Sequence, residues 1–340
     1  MAYEESSPRL VDAHLVIVAP VYNDWECARE YVRAVSAVAD IPRDTTVILV
    51  DDGSTQGQSS VEQWPVRDEM NVLVVTLGMN LGHQRAIATG LVEADKLQGV
   101  SAVIVSDADG EDLPEHLGRL WSEHMADPDS VVVAQRRKRT ESVKFKTFYR
   151  SYRWIFSLLT GQHLDFGNFS LIPGEHLSRI CMNPLLWRHY PATLMRSRLR
   201  ILRVPLDRGE RYAGQSRMNF ISLVNHGLSG MSAFSDIIYA RLLAAAGVSA
   251  FFLFAVVLSG IAIRVSTGAA LPGWLALAAA IAALALAQVV ATVLVVSFLT
   301  FAVGSASGPP PTTVAPQFVL SKAQYPANAG LGYQMDDPAK

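Results

Sequence analysis

The chain has 340 residues, half of them hydrophobic, and a formal net charge of −2 at pH 7. That length holds one sizeable domain with room for further segments. The two cysteines, Cys27 and Cys181, exclude a disulfide framework and a zinc set and suit a reducing compartment. The near-neutral total hides a basic run from Arg136 to Arg153 and an acidic stretch from Asp51 to Asp112.

Residues 1–13 read as an N-terminal extension whose acidic start, MAYEESSPRL, is no signal-peptide n-region. Continuous apolar runs follow at Leu15–Ala19, Thr46–Val50, Val72–Thr76, Ala102–Val105 and Val131–Ala134, the pattern of a parallel sheet buried on both faces. Helical patterns at Trp25–Val38, His83–Leu97 and Pro114–His124 alternate with them, predicting an α/β doubly wound domain over 14–218. Within it, 144–160 sets aromatic residues against Lys146, Arg150 and Arg153, which suits a helix in a membrane interface. A solvated basic face over an aromatic core contact is the alternative.

Residues 219–241 read as a juxtamembrane amphipathic helix, and the uncharged runs 242–263 and 274–303 as two transmembrane helices. The short link RVSTGAALPG between them makes a hairpin. Arg211, Arg217 and Arg241 flank the hairpin on one side against Arg264 on the other, so the large domain and the C-terminal tail are expected in the cytoplasm. With two spans present, the basic run points to a lipid phosphate rather than to nucleic acid. Residues 304–340 lack a core pattern and are expected to be disordered.

In a doubly wound sheet, ligands bind beyond the carboxyl ends of the strands. Three strand ends deliver polar residues there: Pro20-Val21-Tyr22-Asn23-Asp24, Asp51-Asp52-Gly53-Ser54, and Asp107-Ala108-Asp109 followed by Glu111 and Asp112. Residues two apart in extended chain share a side, so Asp107 and Asp109 present carboxylates together. Such hard oxygen ligands select Mg2+ or Mn2+, which typically share their coordination with substrate phosphates. A solvated acidic loop capping the following helix is the alternative. Neither G-x-G-x-x-G after the first strand nor a P-loop is present, which argues against dehydrogenases and P-loop enzymes. His83 opens a helix, where it either meets a donor phosphate or, the favoured reading, caps backbone amides.

The ordered series APVYND, VDDGST, NLGHQRAIATG, SDADGEDLPE, DFGNFSLI and RYAGQSRMNF, followed by two spans, resembles the family 2 glycosyltransferases of GT-A fold. Within that family it is similar to the polyprenyl-phosphate glycosyltransferases, including the dolichol-phosphate mannosyltransferase type. The resemblance covers roughly residues 15 to 300. It implies donor binding by Pro20, Tyr22, Asn23, Asp24, Asp51, Asp52, Gly53 and Ser54, with Asp24 standing where the family more often has Glu. It implies a metal on Asp107 and Asp109, with Glu111 at the place where relatives often put Gln. Arg136, Arg150, Ser216 and Arg217 match residues that meet the acceptor phosphate.

The activity so implied is inverting, metal-dependent transfer of one sugar from a nucleotide-diphosphate sugar to a polyprenyl phosphate. Homo-oligomer formation through the membrane helices is compatible with it. A lipid-phosphate oxygen is already ionised near neutral pH and needs no strong base. A hydroxyl acceptor on another lipid or a polysaccharide would need one. Asp165 is the candidate, Asp112 the second, and a local turn role for Asp165 is the alternative. The missing Gln of a Q-x-x-R-W motif around Arg150–Trp154 disfavours processive synthesis. A catalytically inactive scaffold would be expected to lack Asp107 or Asp109, and both are present.

Overall fold

A computed structural model describes residues 13–56, 64–136, 154–163, 165–213, 227–268, 273–304 and 308–326. The strands are β1 (His14–Val21), β2 (Thr45–Asp51), β3 (Met70–Leu77), β4 (Val100–Val105), β5 (Val131–Arg136), β6 (Phe166–Pro173), β7 (Ile201–Leu206) and β8 (Val319–Pro326). They form one sheet in the order β7-β5-β6-β4-β1-β2-β3-β8. The helices used below are α1 (Trp25–Ser36), α2 (His83–Ala94), α3 (Leu117–Ala126), α4 (Gly174–Cys181), α5 (Tyr190–Arg196), α6 (Ser235–Thr267) and α7 (Gly273–Gly304).

The chain divides into two compact units, one of residues 1–142, 165–233 and 309–340, the other of 143–164 and 234–308. In the first unit the apolar runs are buried on both sheet faces because strand side chains alternate. Leu15, Ile17 and Ala19 of β1 join one core with α1 and α3, while Val16 and Val18 join a second core with α2, α4 and α5. On α1 the buried Ala28, Tyr31, Val32 and Val35 follow helical spacing, and the opposite face carries the exposed Arg33–Glu30 pair. Each fully buried Val, Leu or Ile contributes roughly 1.5–3 kcal/mol, which makes this layered core the main source of stability.

The expected parallel sheet needs two corrections. The DFGNFSLI segment supplies β6, which runs antiparallel to β4 and β5 and separates them. Residues 319–326, within the tail expected to be disordered, pair antiparallel with β3 as β8. Both outcomes rest on pairings between segments distant in the chain, which local periodicity does not encode. A polar, alternating sequence such as VLSKAQYP is also typical of a protected edge strand rather than a buried one.

In the second unit α6 and α7 are long and apolar enough to cross a membrane, α6 along its whole length and α7 over Ala276–Phe298. Phe251, Phe254, Ile261 and Leu284 project from them exposed. The single helix expected over 219–241 is not formed among the described residues. Helix 227–232 ends in a turn at 233–234, and α6 begins anew at Ser235. Arg196 donates to the Ala233 carbonyl at 2.6 Å, which occupies an acceptor a continuous helix would use. Of the segment 144–160, residues 154–160 are described as helical, with Trp154 and Leu158 exposed. Within the same unit Arg241 donates to the Leu158 carbonyl at 2.8 Å, and Phe156 meets Phe234 edge to face at 5.6 Å.

Candidate functional site

The parallel register of β1, β2 and β4 brings their carboxyl ends to one edge: Val21 lies beside Asp51, and Val18 beside Val105. Pro20 is still in β1 and Tyr22 is exposed just past it. Asn23 takes a left-handed φ of 50°, a conformation Asn tolerates better than most residues. That turn lets its side chain accept from the amides of Thr55 and Gln56 at 2.8 Å each, while its own amide donates to Ser54 Oγ at 2.8 Å. The loops after β1 and β2 are thus tied into one rim.

The two acids at the end of β2, Asp51 and Asp52, are nearly inaccessible to solvent and work on backbone. Asp51 accepts from the Ser54 amide at 2.9 Å. Asp52 accepts from the amides of Leu81 at 2.7 Å and Gly82 at 2.9 Å, holding the turn into α2. Burial pushes the Asp52 carboxyl up, and the Leu81 and Gly82 amides oppose the shift. Gly53, at φ 69°, lies so close to this turn that a Cβ would stand 2.6 Å from the Asn80 amide nitrogen. Asp52 and Gly53, expected to touch the donor, are seen here packed against the turn into α2.

The turn delivers His83, whose expected capping role is not observed: the N-cap position is Gly82 and makes no side-chain cap bond. Instead His83 Nε2 lies 3.2 Å from Asp107 Oδ1 and 2.9 Å from the Asn168 side-chain amide. Its pKa is raised: removal from water works against protonation, but the carboxylates of Asp107, Asp109 and Asp112 outweigh it. Asn168 in β6 also meets Gln84 at 3.1 Å, and Gln84 accepts from the Tyr190 amide at 2.6 Å.

After β4 the acids separate by role. Asp112 is buried and accepts from the Asp107 amide at 3.0 Å, which ties it into the turn. Asp109 accepts from the Glu111 amide at 3.0 Å through Oδ1, and Gly110 turns the chain at φ 92°. Through Oδ2 Asp109 pairs with Arg211 at 2.8 Å, and the same guanidinium pairs with Asp24. Burial and the neighbouring Asp107 push the Asp109 carboxyl up to about 6 against the pull of Arg211. Glu111 is paired with Arg208. Among the described residues no three His, Cys, Asp or Glu side chains gather closely enough to hold a metal ion. The expected set of Asp107, Asp109 and Glu111 does not form such a group, and Glu111 is engaged by Arg208.

Asp165 precedes β6 and is neither a free base nor a local turn residue. It accepts from Gln135 at 2.8 Å and from Arg203 Nε at 3.1 Å. Arg136 ends β5 at the same sheet edge, whereas Arg150, Ser216 and Arg217 lie outside the described residues. Sequence reasoning missed Arg208 and the site role of Arg211. Their signal was their position at and just ahead of the RYAGQSRMNF motif, which Arg211 opens.

The family model described as glycosyl transferase family 2 matches residues 16–179. The undecaprenyl-phosphate 4-deoxy-4-formamido-L-arabinose transferase of Proteus mirabilis (strain HI4320) is 28% identical over 217 residues, 62% of this chain and 64% of that protein. The chain thus spans somewhat less than two thirds of that relative's length. The uncharacterized glycosyltransferase YkoT of Bacillus subtilis (strain 168) is 26% identical over 274 residues, 77% of this chain and 80% of that protein. Among solved structures, the mannosyltransferase PcManGT from Pyrobaculum calidifontis, in complex with GDP-Man and Mn2+, superposes with a TM-score of 0.41 at 19% identity, covering 89% of this chain and 78% of that one. Glucosyl-3-phosphoglycerate synthase from Mycobacterium tuberculosis, in complex with Mn2+, UDP-glucose and phosphoglyceric acid, gives a TM-score of 0.47 at 14% identity, covering 66% and 80%.

Proposed function

We propose, from the match of residues 16–179 to glycosyl transferase family 2, that this chain moves one sugar from a nucleotide-diphosphate sugar to a polyprenyl phosphate at the cytoplasmic membrane face. The observation that carries this reading is the convergence of Asp24, Asp107 and Asp109 from two strand ends on the sheet edge where α/β proteins bind ligands. The Proteus relative, named as an undecaprenyl-phosphate transferase, and the two apolar helices support a lipid-phosphate acceptor.

Asp107 and Asp109 are the residues that would hold a divalent cation. They offer hard carboxylate oxygens, and two such ligands suit an ion that completes its shell with water and substrate phosphates. When bound, Mg2+ or Mn2+ supplies Lewis-acid stabilisation of the charge that develops on the departing nucleotide diphosphate, opposite the attacking oxygen of an inverting displacement. His83, itself met by Asn168 of β6, orients Asp107 from the side of α2. Tyr22, Asn23 and Ser54 form the rim that would receive the nucleoside, with Asp51 fixing Ser54. Arg136, Arg150, Ser216 and Arg217 would position the acceptor phosphate for attack.

The hydroxyl-acceptor alternative asks Asp165 to take up a proton. Its carboxylate is already engaged by Arg203 and Gln135, an arrangement that favours the ionised acceptor, which needs no base.

The test supplies purified protein with Mn2+, radiolabelled nucleotide sugars and undecaprenyl phosphate. The expected product is a labelled lipid from which mild acid releases the sugar, and Asp109→Asn should reduce its formation by about 100-fold or more, the loss of a few kcal/mol of transition-state stabilisation. Normal turnover of Asp109→Asn, or labelling confined to hydroxyl acceptors, would overturn the reading.

A further inference from the structure

The segment 207–213 after β7 lies along the acidic loop after β4 like a strap. The Gly209 amide donates to the Glu111 carbonyl and the Tyr212 amide to the Asp109 carbonyl, each at 2.9 Å. Gly110 makes room for it, since a Cβ there would meet the Tyr212 ring at 2.9 Å. These backbone bonds fix Arg211 where its guanidinium reaches Asp24 with one nitrogen and Asp109 with another, while Nε donates to the Ala213 carbonyl at 3.2 Å.

The pairing is more than a surface ion pair, for the Arg211, Asp24 and Asp109 side chains are 21, 30 and 17% exposed. Half-buried carboxylates from two loops repel each other unless a cation stands between them. Arginine cannot yield by losing its proton, so anything that takes over these oxygens must move it bodily. Resting on the metal reading proposed above, we infer that Arg211 is the site's built-in counter-cation and that a divalent ion has to displace it to engage Asp109.

A consequence for binding order follows. Among the described residues no three His, Cys, Asp or Glu side chains gather closely enough to hold an ion, so these residues alone give an incoming ion few ligands to offset the lost arginine pairs. A nucleotide diphosphate changes the balance twice. Its oxygens complete the ion's shell, and its negative charge compensates the displaced guanidinium. The ion therefore enters with the nucleotide, and by linkage each raises the other's affinity by the same factor. Arg211 creates that dependence by penalising the ion that arrives alone.

Binding of Mn2+ to the full chain in detergent, read from the electron paramagnetic resonance signal of free Mn2+, tests this directly. Titrations are run without nucleotide and with UDP or GDP, on wild type, Arg211→Gln, Arg211→Lys and Asp109→Asn. Arg211→Gln should bind Mn2+ alone at least about 5-fold more tightly than wild type, the lower end of ordinary coupling strengths, and gain less from nucleotide. Arg211→Lys, which keeps the charge but not the two-pronged reach to Asp24 and Asp109, should fall between wild type and Arg211→Gln in the same titration. Unchanged or weaker Mn2+ binding by Arg211→Gln, or a lysine variant as tight as the glutamine one, would overturn the inference. Asp109→Asn separates the two ideas. If it binds Mn2+ as wild type does, the metal reading itself fails; if it loses Mn2+ while Arg211→Gln matches wild type, only the counter-cation role fails.

Discussion

Gly90 sits inside α2, where alanine would ordinarily stabilise a helix by about 1 kcal/mol. Here a Cβ would press on Val18 Cγ1 and lie 2.9 Å from Val50 Cγ2, both in the sealed core beneath the helix. Overpacking of this kind costs about 1–3 kcal/mol and outweighs the propensity gain. Gly90→Ala should therefore lower the unfolding free energy by about 1 kcal/mol in denaturant titrations, and a stabilised variant would show that helix and sheet can part without cost. The polar residues at the strand ends were legible one by one, because clustered acids after buried strands call for a cation, an amide or an arginine. Which of these each acid meets was not legible. Asp52 takes two amides, Asp112 another, and Asp109 and Glu111 take arginines from a segment about a hundred residues downstream.

At the scale of elements, β8 shows what local patterning omits. Its pairing with β3 covers an edge that would otherwise expose a row of unpaired backbone groups. A side-chain bond accompanies the ladder. Glu93 of α2, 3% exposed, accepts from Lys96 at 2.7 Å and from Lys322 of β8 at 2.5 Å. Lys322 is itself well exposed and Lys96 remains when it is lost, so solvent screening discounts the pair and Lys322→Met is expected to cost about 1 kcal/mol. A double-mutant cycle with Glu93→Gln measures the coupling, and a value of zero would mean that backbone pairing alone holds the strand. The five apolar strands were readable because both their faces are buried. The place of β6 among them was not, since it depends on pairing with β4 and β5, segments distant in the chain.

For the whole molecule, the sheet carries a topological consequence. The chain leaves the first unit after residue 233 and returns to it at 309, and β8 belongs to the same sheet as β1. If α6 and α7 each cross a membrane, both ends of the pair must lie on one side. Single cysteines placed at the exposed positions Met79 and Leu320 should then react with a membrane-impermeant maleimide from the same side of oriented vesicles. The native thiols give little background, since both are buried and burial raises the Cys27 pKa to about 11 and that of Cys181 further. Opposite-sided labelling would refute the hairpin.

The sequence by itself determined the layered α/β core, the two apolar helices and the edge of the sheet where charge collects. Each of these depends on short-range periodicity or composition, which survives in one dimension. Only the tertiary structure decided that the segment after the helices returns as an edge strand, that Asp165 is bound to Arg203, and that Arg211 stands between Asp24 and Asp109. Those outcomes depend on contacts between residues far apart in the chain, where the partner of a charge is chosen by folding and not by its neighbours in sequence.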